Sequence, residues 1–471
     1  MCDGEKVLIA LLKIQQRLLF FLLLENSITY EKPLYIIKMN QRKKIVQLAL
    51  PAMAENLLQM LMGVVDNYLV AQIGLVAVSG VSVANNIITI YQAIFIALGA
   101  AVSSLVAKSL GEDNQARVRF YQSESVAITL MLSVVLGFIS FVFGSNMLHL
   151  LGTTDSVTQA GGIYLAIVGG LVVSLGLQTT LGAILRAQGK ARLPMYVSFL
   201  TNIVNVILAT TAIYIGHWGI VGVAAATVLS RFLGTFVLAC QLPIKAILRS
   251  MRIKIDKAFL AIALPSAGER LMMRAGDVVI IAIIVKFGTA AVAGNAIGET
   301  LTQFNYMPGM GVATATVILV AHNLGQGKKK VVKEVVRESY IISTVFMLLV
   351  GACIFFGGRQ LTYLFTENKA ALQASLVVLF YSFIGGPATS GTLVFTAVWQ
   401  GLGKAKLTFY ATTVGMWLIR IVLGYYLGVS LNLGLAGVWL ATLADNVFRW
   451  LFLYCLYRKY MQGFNNNLSS S

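Results

Sequence analysis

Twelve long apolar runs follow one another along most of the chain, and they limit its fold more than any other feature. A membrane-spanning helix needs about 20 mostly apolar residues, and no strand-like alternation competes with the runs. Because a bilayer admits only helices or closed barrels, the sequence predicts an all-α integral membrane protein with twelve transmembrane helices. We number them spans 1 to 12, near residues 45–72, 82–107, 122–144, 160–184, 194–215, 220–242, 258–285, 292–321, 338–357, 373–398, 407–429 and 435–457.

The composition agrees with this class of protein. Hydrophobic residues make up 58% of the chain and charged residues 11%, against roughly 45–50% and 25% in soluble proteins. The formal net charge of +18 would suit a nucleic-acid partner, but the cations lie in short loops between spans, so we expect none. Four cysteines without C-x-x-C spacing and three scattered histidines predict no resident metal, no cofactor and no catalytic site.

The loop cations indicate how the chain is oriented in the membrane. Basic residues cluster in alternate loops, such as Arg42–Lys44 and Lys328–Lys330, whereas only Lys286, Arg359 and Lys369 lie in loops of the opposite side. Because positive loops stay in the cytoplasm, we predict a multi-pass protein with both termini cytoplasmic. The compact loops suit a plasma membrane, in particular a bacterial inner membrane.

The first 38 residues differ from the rest. Val7–Leu24 is apolar but contains Lys13 and Arg17, which favours an amphipathic helix lying in the membrane interface over a span. Met39 opens a short basic stretch that leads into span 1. We therefore interpret residues 1–38 as an N-terminal extension of little functional weight.

An internal repeat divides the chain into two similar halves. One constant shift in residue number aligns Ala49-Leu50-Pro51 with Ala263-Leu264-Pro265, Glu55 with Glu269, Leu110-Gly111 with Leu324-Gly325, and Gly189-Lys190-Ala191 with Gly403-Lys404-Ala405. With one extra residue, Gly219 aligns with Gly434. Each half contains six spans, an even number, so the halves share one orientation, as in transporters built from parallel repeats.

The repeat also predicts the domain boundaries. We expect an N-terminal six-helix bundle at 39–242, a basic cytoplasmic linker at 243–257, a C-terminal six-helix bundle at 258–460 and a polar tail at 461–471. The two bundles should be pseudo-symmetric about an axis along the membrane normal.

Ionisable residues inside spans are costly and mark functional sites, so Asp66 in the middle of span 1 is the leading candidate. Its repeat counterpart is Ile280, so the carboxylate breaks the pseudo-symmetry. A buried carboxylate is expensive to keep charged, and its protonation can be coupled to a conformational change. The alternative is a structural carboxylate that is hydrogen-bonded to Asn67 or to a neighbouring helix.

Neutral oxygen donors in spans 5 and 6 accompany this carboxylate. Asn202, Asn205 and Thr227 would give Asp66 the oxygen ligands that suit a monovalent cation such as Na⁺. The alternative is ordinary interhelical hydrogen bonding, which we favour for Asn202.

Five other acidic residues lie in spans: Glu55, Glu269, Asp277, Glu299 and Asp445. Glu269 is a second candidate for cation or proton coupling. Its repeat partner Glu55 is, like Asn202, a candidate for a substrate cavity, although Glu55 lies nearer the cytoplasm and could be a solvated carboxylate at a helix start. Asp277 could line a substrate cavity or simply neutralise Arg274 three residues earlier. Glu299 in span 8 is a further cavity candidate.

Methionines are frequent in spans 1, 7 and 8. Thioether side chains adapt to varied apolar shapes, so Met62, Met273 and Met307 are candidates for a cavity wall, although methionine is also common on lipid-facing helices. No Walker A stretch, dinucleotide fingerprint or HExxH motif is present, so we expect transport driven by an ion gradient.

The chain resembles the multidrug and toxic compound extrusion (MATE) family over residues 40–460. The resemblance rests on motifs that occur in order in both halves: Val65-Asp66-Asn67 with Gly74, Leu110-Gly111-Glu112, Leu324-Gly325-Gln326, Arg186–Lys190 and Gln400–Lys404. It implies two six-helix bundles around a V-shaped cavity and export of amphipathic, often cationic small molecules in exchange for H⁺ or Na⁺.

The resemblance also implies roles for individual residues. The family's cation chemistry is matched by Asp66, Asn205 and Thr227, and the span 7 glutamate of some members by Glu269. Ala209 stands where the family has a span 5 aspartate, and span 10 has no acidic residue. The coupling ion therefore stays open between H⁺ and Na⁺, with a preference for H⁺.

Two other functions are weighed against drug export. A flippase for lipid-linked oligosaccharides would need arginines for an anionic headgroup, and Arg231, Arg270, Arg274 and Arg420 keep that alternative open. A membrane-embedded enzyme would need paired catalytic groups, and no Asp/His or Ser/His pairing at useful spacing is present. We expect a monomer whose partners are small amphipathic substrates and the lipid bilayer.

Overall fold

The computed structural model describes residues 40–251 and 256–469, with side chains through residue 462. Within these ranges every regular element is a helix, which confirms the all-α fold. The extension at residues 1–38, with the interfacial helix predicted at Val7–Leu24, lies outside the described residues.

Twelve long helices correspond one to one with the predicted spans. They are α1 (Gln41–Ala71), α2 (Leu75–Gly111), α3 (Gln115–Leu150), α4 (Asp155–Tyr164, Leu165–Gly169 and Val173–Ala187), α5 (Arg192–Tyr214), α6 (Gly219–Cys240), α7 (Lys257–Val285), α8 (Thr289–Gly325), α9 (Lys329–Phe356), α10 (Lys369–Ile384 and Gly386–Gly401), α11 (Lys406–Val414, Gly415–Leu423 and Tyr426–Ser430) and α12 (Gly434–Ser469). Short helices at Ile244–Arg249 and Gly358–Tyr363 lie between them.

By length and composition, eight helices are apolar enough to cross a membrane, or ten if each bent pair is one span. The bent pairs are α4 and α10, with bends of 43° and 58°. The remaining two, α7 and α12, are helices of 29 and 36 residues that contain several ionisable side chains. α7 contains Glu269 and Asp277, and α12 contains Asp445 and Arg449.

Glycines at equivalent positions of the two halves adopt the same backbone conformation. Gly189 and Gly403 follow α4 and α10 with φ of 84° and 75°. Gly219 and Gly434 are the first residues of α6 and α12, with φ of 54° and 57°. Glycine adopts positive φ without the steric cost that other residues meet, so the repeat preserves glycine where a helix must start or stop sharply.

The two halves meet along α2 and α8. Every residue of 101–107 and of 315–321 is buried, so two turns of each helix are enclosed on all sides. At the ends of these helices, a Cβ on Gly111 would overlap the carbonyl oxygen of His322, and one on Gly325 would overlap that of Lys108. The two Leu-Gly motifs are therefore explained by one close crossing, on the side of the basic loops.

A hydrogen bond also joins the halves near this crossing. Ser104 Oγ on α2 donates to the carbonyl oxygen of Gln400 on α10 at 2.9 Å. On the same side Gly311 of α8 packs directly against Met53 and Ala49 of α1. Helices from both halves thus close together at the end where the basic loops lie.

The described parts of the linker are bound to the start of α3. Ser123 Oγ and Ser250 Oγ are 2.6 Å apart, and the Tyr121 hydroxyl donates to Asp256 Oδ2 at 3.1 Å. The backbone N–H of Asp256 also donates to Glu124 Oε1. The segment that connects the halves is therefore attached to the N-terminal one immediately before α7 begins.

Candidate functional site

Asp66 lies near the C-terminal end of α1 and not in its middle as predicted, and its side chain is buried. Asn205 on α5 is fully buried, and its Nδ2 donates to Asp66 Oδ1 at 2.7 Å. Asn67, the other candidate partner, is exposed. The structure thus brings together two of the predicted coupling residues from distant parts of the chain.

Three further side chains complete this cluster. Thr227 on α6 is fully buried, and its hydroxyl donates to the carbonyl oxygen of Val223 in its own helix at 3.0 Å. Tyr164 on α4 lies beside Thr227 and within electrostatic reach of Asp66 and Arg231. Arg231 is the positive charge that acts on Asp66.

Two polar atoms near Asp66, one acceptor and one donor, have no hydrogen-bond partner among the described residues. They are Asn205 Oδ1 and Arg231 Nη1, and both are buried. One turn beyond Asn205, Ala209 packs in an apolar cluster with Leu69 and Ala226. Among the described residues no three His, Cys, Asp or Glu side chains come together as metal ligands would. The cluster therefore has one carboxylate and one guanidinium, with buried polar atoms available to a small ligand.

Asn202 and Glu55 have specific partners away from this cluster. Asn202 Nδ2 donates to the carbonyl oxygen of Leu58 at 2.7 Å, a packing contact between α5 and α1. Glu55 forms an ion pair with Arg186 Nη1 at 2.7 Å, and both side chains are largely buried. Glu55 is therefore bound to the end of α4 and is not a solvated carboxylate at a helix start.

Glu269 on α7 is buried against α11 in the C-terminal half. Its Oε2 accepts a hydrogen bond from Thr408 Oγ1 at 2.7 Å, and its Oε1 accepts a longer one from Thr412 Oγ1 at 3.4 Å. The charges of Arg270 and Arg449 also act on this carboxylate. Glu269 thus occupies a polar pocket of its own, separate from the cluster around Asp66.

A buried ion pair on α12 lies beside Glu269. Arg449 Nη2 donates to Asp445 Oδ2 at 2.8 Å one turn away, and both side chains are almost inaccessible. Arg449 Nη2 also donates to Asn446 Oδ1 at 3.2 Å, and its Nη1 lies 4.0 Å from Met273 Sδ. A buried pair of charges needs such extra partners to offset the loss of hydration.

Asp277 pairs with a different arginine from the one suggested by its spacing. Arg274 precedes it by three residues, but the ion pair forms with Arg420 Nη1 of α11 at 3.3 Å. Arg420 Nε also donates to Thr442 Oγ1 at 3.1 Å. Asp277 is therefore neutralised by an arginine of another helix and not, as its spacing suggested, by Arg274.

Glu299 on α8 belongs to the same charged region. It interacts with Asn295, and the charges of Arg274, Asp277 and Arg420 act on it. The Oδ1 atom of Asn295 accepts a hydrogen bond from Trp439 Nε1 at 2.9 Å, so the neighbour of Glu299 is itself held in place.

The backbone of α11 departs from α-helical geometry where it meets this network. Residues Gly415–Leu423 form a π-helix, and a second π-helical segment follows at Tyr426–Ser430. A Cβ on Gly415 would overlap Asp445 Oδ1, so the buried ion pair needs glycine at the start of the wider turn. π-helical turns are rare and are frequent at functional sites.

Sequence reasoning missed several partners of these residues. Tyr164 gave no signal, whereas Arg231, Asp445 and Arg449 were recognisable as ionisable residues in spans. Thr408 and Thr412 are one helical turn apart, which was the available clue. Met62 and Met307 are half-buried, and no described contact connects either of them to these clusters.

Comparison with known proteins agrees with this architecture. The model of the MatE family matches residues 51–211 and 265–426, one copy in each half and together more than half of the chain. The chain belongs to the MATE family. It is a multi-pass membrane transporter whose two family repeats correspond to the two six-helix halves.

Relatives in bacteria and plants match almost end to end. Probable multidrug resistance protein NorM of Thermotoga maritima is 29% identical over 87% of this chain and 90% of its own length. Protein DETOXIFICATION 38 of Arabidopsis thaliana is 21% identical over 95% and 90%. A solved structure described as the outward-facing conformation of a multidrug resistance MATE family transporter of the MOP superfamily has a TM-score of 0.86 at 21% identity, over 93% of this chain and 100% of that one. MATE proteins therefore share the fold of this chain.

Proposed function

We propose that this MATE protein is a cation-coupled antiporter that exports amphipathic, often cationic drugs and toxic compounds by alternating access. The observation that carries the proposal is the Asp66–Asn205 hydrogen bond, which buries one carboxylate inside the N-terminal half. The relatives named as multidrug resistance and detoxification proteins support this class of substrate. In this proposal the protein is a monomer in the plasma or bacterial inner membrane, with both termini in the cytoplasm.

The proposed cycle is a movement of the two bundles, 39–242 and 258–460, about the linker 243–257. The close crossing of Gly111 and Gly325 favours a state that is sealed on the side of the basic loops. Binding of a cation at Asp66 then displaces the substrate, the cation-bound protein returns the emptied site to the cytoplasm, and the cation is released there. A ligand shifts such an equilibrium only by its different affinities for the two states.

We propose H⁺ as the coupling ion. Asn205 turns its NH₂ group toward Asp66, and the cluster contains a single carboxylate. Ala209, one turn beyond Asn205, packs in an apolar cluster, so that position supplies no second anionic ligand for Na⁺. The charge of Arg231 acts on Asp66 and opposes any bound cation. A proton binds the carboxylate itself and needs no set of oxygen ligands.

The test is efflux of rhodamine 6G from proteoliposomes, with pH and Na⁺ gradients imposed separately. The wild type should respond to the pH gradient, and Asp66→Asn should abolish that response. Asp155→Asn is the matched control, because this carboxylate is exposed at the start of α4. Arg231→Gln should add a response to the Na⁺ gradient, because it removes the competing positive charge.

Each contrary result has a defined meaning. A wild type that responds only to Na⁺ would overturn proton coupling while keeping antiport. Efflux unchanged by Asp66→Asn would move the coupling site to Glu269. The absence of any dye movement would favour the lipid-linked oligosaccharide flippase.

The arginines favour an exporter over that flippase. Arg420 is bound by Asp277 and Thr442, and Arg231 acts on Asp66, so neither is available for a large anionic headgroup. This leaves only Arg270 and Arg274 of the four arginines on which the flippase alternative depends.

A further inference from the structure

We propose that Arg270 and Arg274 of α7 form a binding site for the anionic group of a transported amphipathic compound, a carboxylate, a sulfonate or a phosphate monoanion. The proposal rests on the export function above and extends its substrates beyond cations. The two guanidinium groups are one helical turn apart, and their charges act on each other. Like charges at this spacing repel each other, which destabilises the bundle unless an anion binds between them.

Neither guanidinium forms an ion pair, although the charge of the adjacent Glu269 acts on Arg270. Among the described side chains, no carboxylate lies within ion-pair distance of Arg270 or Arg274. Three other arginines of the helices are paired, at 2.7–3.3 Å: Arg186 with Glu55, Arg420 with Asp277 and Arg449 with Asp445. An unpaired charge in a membrane protein is expensive and indicates a functional site.

The pair is accessible to a ligand. Arg270 is half-buried and Arg274 is exposed, whereas the paired Arg449 is buried. Tyr306 on α8 lies near Arg270, and the charge of Arg274 acts on Glu299, also on α8. The two guanidinium groups therefore face the space beside α8 and not only the outside of the bundle.

The fold does not require these charges. At the equivalent positions of α1 the chain has Asn56 and Met60, and Asn85 stands where α8 has Glu299. The same helix framework is thus built in the N-terminal half without any of them. Their presence in the C-terminal half alone points to a ligand and not to packing.

The chemistry selects a single negative charge. Guanidinium groups bind carboxylate, sulfonate and phosphate oxygens through parallel N–H···O bonds. The Tyr306 hydroxyl beside Arg270 adds a neutral donor. Glu299 near Arg274 repels a second negative charge, so a monoanion is favoured over a dianion.

The test measures binding of two xanthene dyes to the purified full chain by fluorescence polarisation. Sulforhodamine B has sulfonate groups and a net negative charge, whereas rhodamine 6G is a cation. Arg270→Gln/Arg274→Gln should weaken sulforhodamine B binding by about tenfold or more and leave rhodamine 6G binding unchanged. Lys369→Gln, which removes one exposed charge at the start of α10, is the control for net charge.

Unchanged sulforhodamine B affinity in the double variant would overturn the proposal, and so would an equal loss for both dyes. If the double variant does not yield folded protein, Arg274→Gln carries the same test, because that side chain is exposed. Arg274→Lys should restore part of the affinity, since it keeps the charge but not the forked donor.

Competition distinguishes the sources of the anion. Decanoate and dihexanoyl phosphatidic acid are titrated against bound sulforhodamine B, with dihexanoyl phosphatidylcholine as the zwitterionic control. Displacement by decanoate at the lower concentration indicates a free organic anion, and displacement by phosphatidic acid indicates a lipid phosphate. Displacement by neither would overturn the site. Failure of rhodamine 6G efflux with intact anion binding would instead overturn only the export function.

Discussion

The two bundles have one backbone plan and two different interiors. Helix α1 contributes one deeply buried carboxylate, Asp66, and its equivalent α7 has Ile280 there. Charged residues are instead concentrated at other positions of α7, where α1 is neutral: Arg270 for Asn56, Arg274 for Met60 and Asp277 for Gly63. The two halves keep the same glycines and apolar faces because the fold depends on them. Their polar side chains are free to diverge, and the two halves can therefore take separate tasks.

The largest expected effect is a loss of stability when the buried ion pair of the C-terminal half is broken. Arg449→Ala should destabilise the protein by about 3–5 kcal/mol, because it leaves Asp445 buried without its partner. The measurement is the midpoint of thermal unfolding in detergent. At the equivalent place the N-terminal half has Gly234, so no such charge is needed there.

The double variant Asp445→Asn/Arg449→Gln is the matched control, because it removes both charges together and should recover much of the loss. An Arg449→Ala protein as stable as the wild type would show that the ion pair contributes nothing to the fold.

The second prediction tests the feature that the halves share. Gly111→Ala and Gly325→Ala should each cost about 1–3 kcal/mol, because the added methyl group overlaps a carbonyl oxygen of the opposite helix. The midpoint of thermal unfolding and the rate of rhodamine 6G efflux should both fall, and by similar amounts for the two variants.

Gly63→Ala is the control for helix propensity, since a Cβ there has no neighbour within 4 Å. A large effect of one variant and none of the other would break the symmetry that we assign to this crossing.

The smallest expected effect is the loss of one hydrogen bond to Glu269. Thr408→Val should destabilise the protein by about 1 kcal/mol, the usual scale for a hydrogen bond between membrane helices, and Thr412→Val by less. The reason is distance, since the two hydroxyls lie 2.7 Å and 3.4 Å from the carboxylate. Unfolding midpoints of the two variants, compared under one condition, check the order, and the reverse order would contradict the assignment of Thr408 as the main donor.

Much of the fold was predictable because it is local in the sequence. The twelve spans correspond to α1–α12, and the repeat matches the two copies of the family model. The Asp66–Asn205 contact was anticipated through the family resemblance and is present in the structure, although its role in coupling stays a prediction. Bends within α4 and α10 and the π-helical turns of α11 were not predicted, because they depend on packing against neighbouring helices.

The sequence by itself determined the class of protein, its twelve helices and its twofold repeat. Apolar length and repeated glycines are properties of short segments, and the membrane leaves the backbone few alternatives to the helix. Only the tertiary structure decided which charges are partners: Glu55 with Arg186, Asp277 with Arg420, and neither with Arg270 or Arg274. Ion pairs between helices form where faces from distant parts of the chain come within about 4 Å, whereas spacing along one helix indicates only local pairs such as Asp445–Arg449.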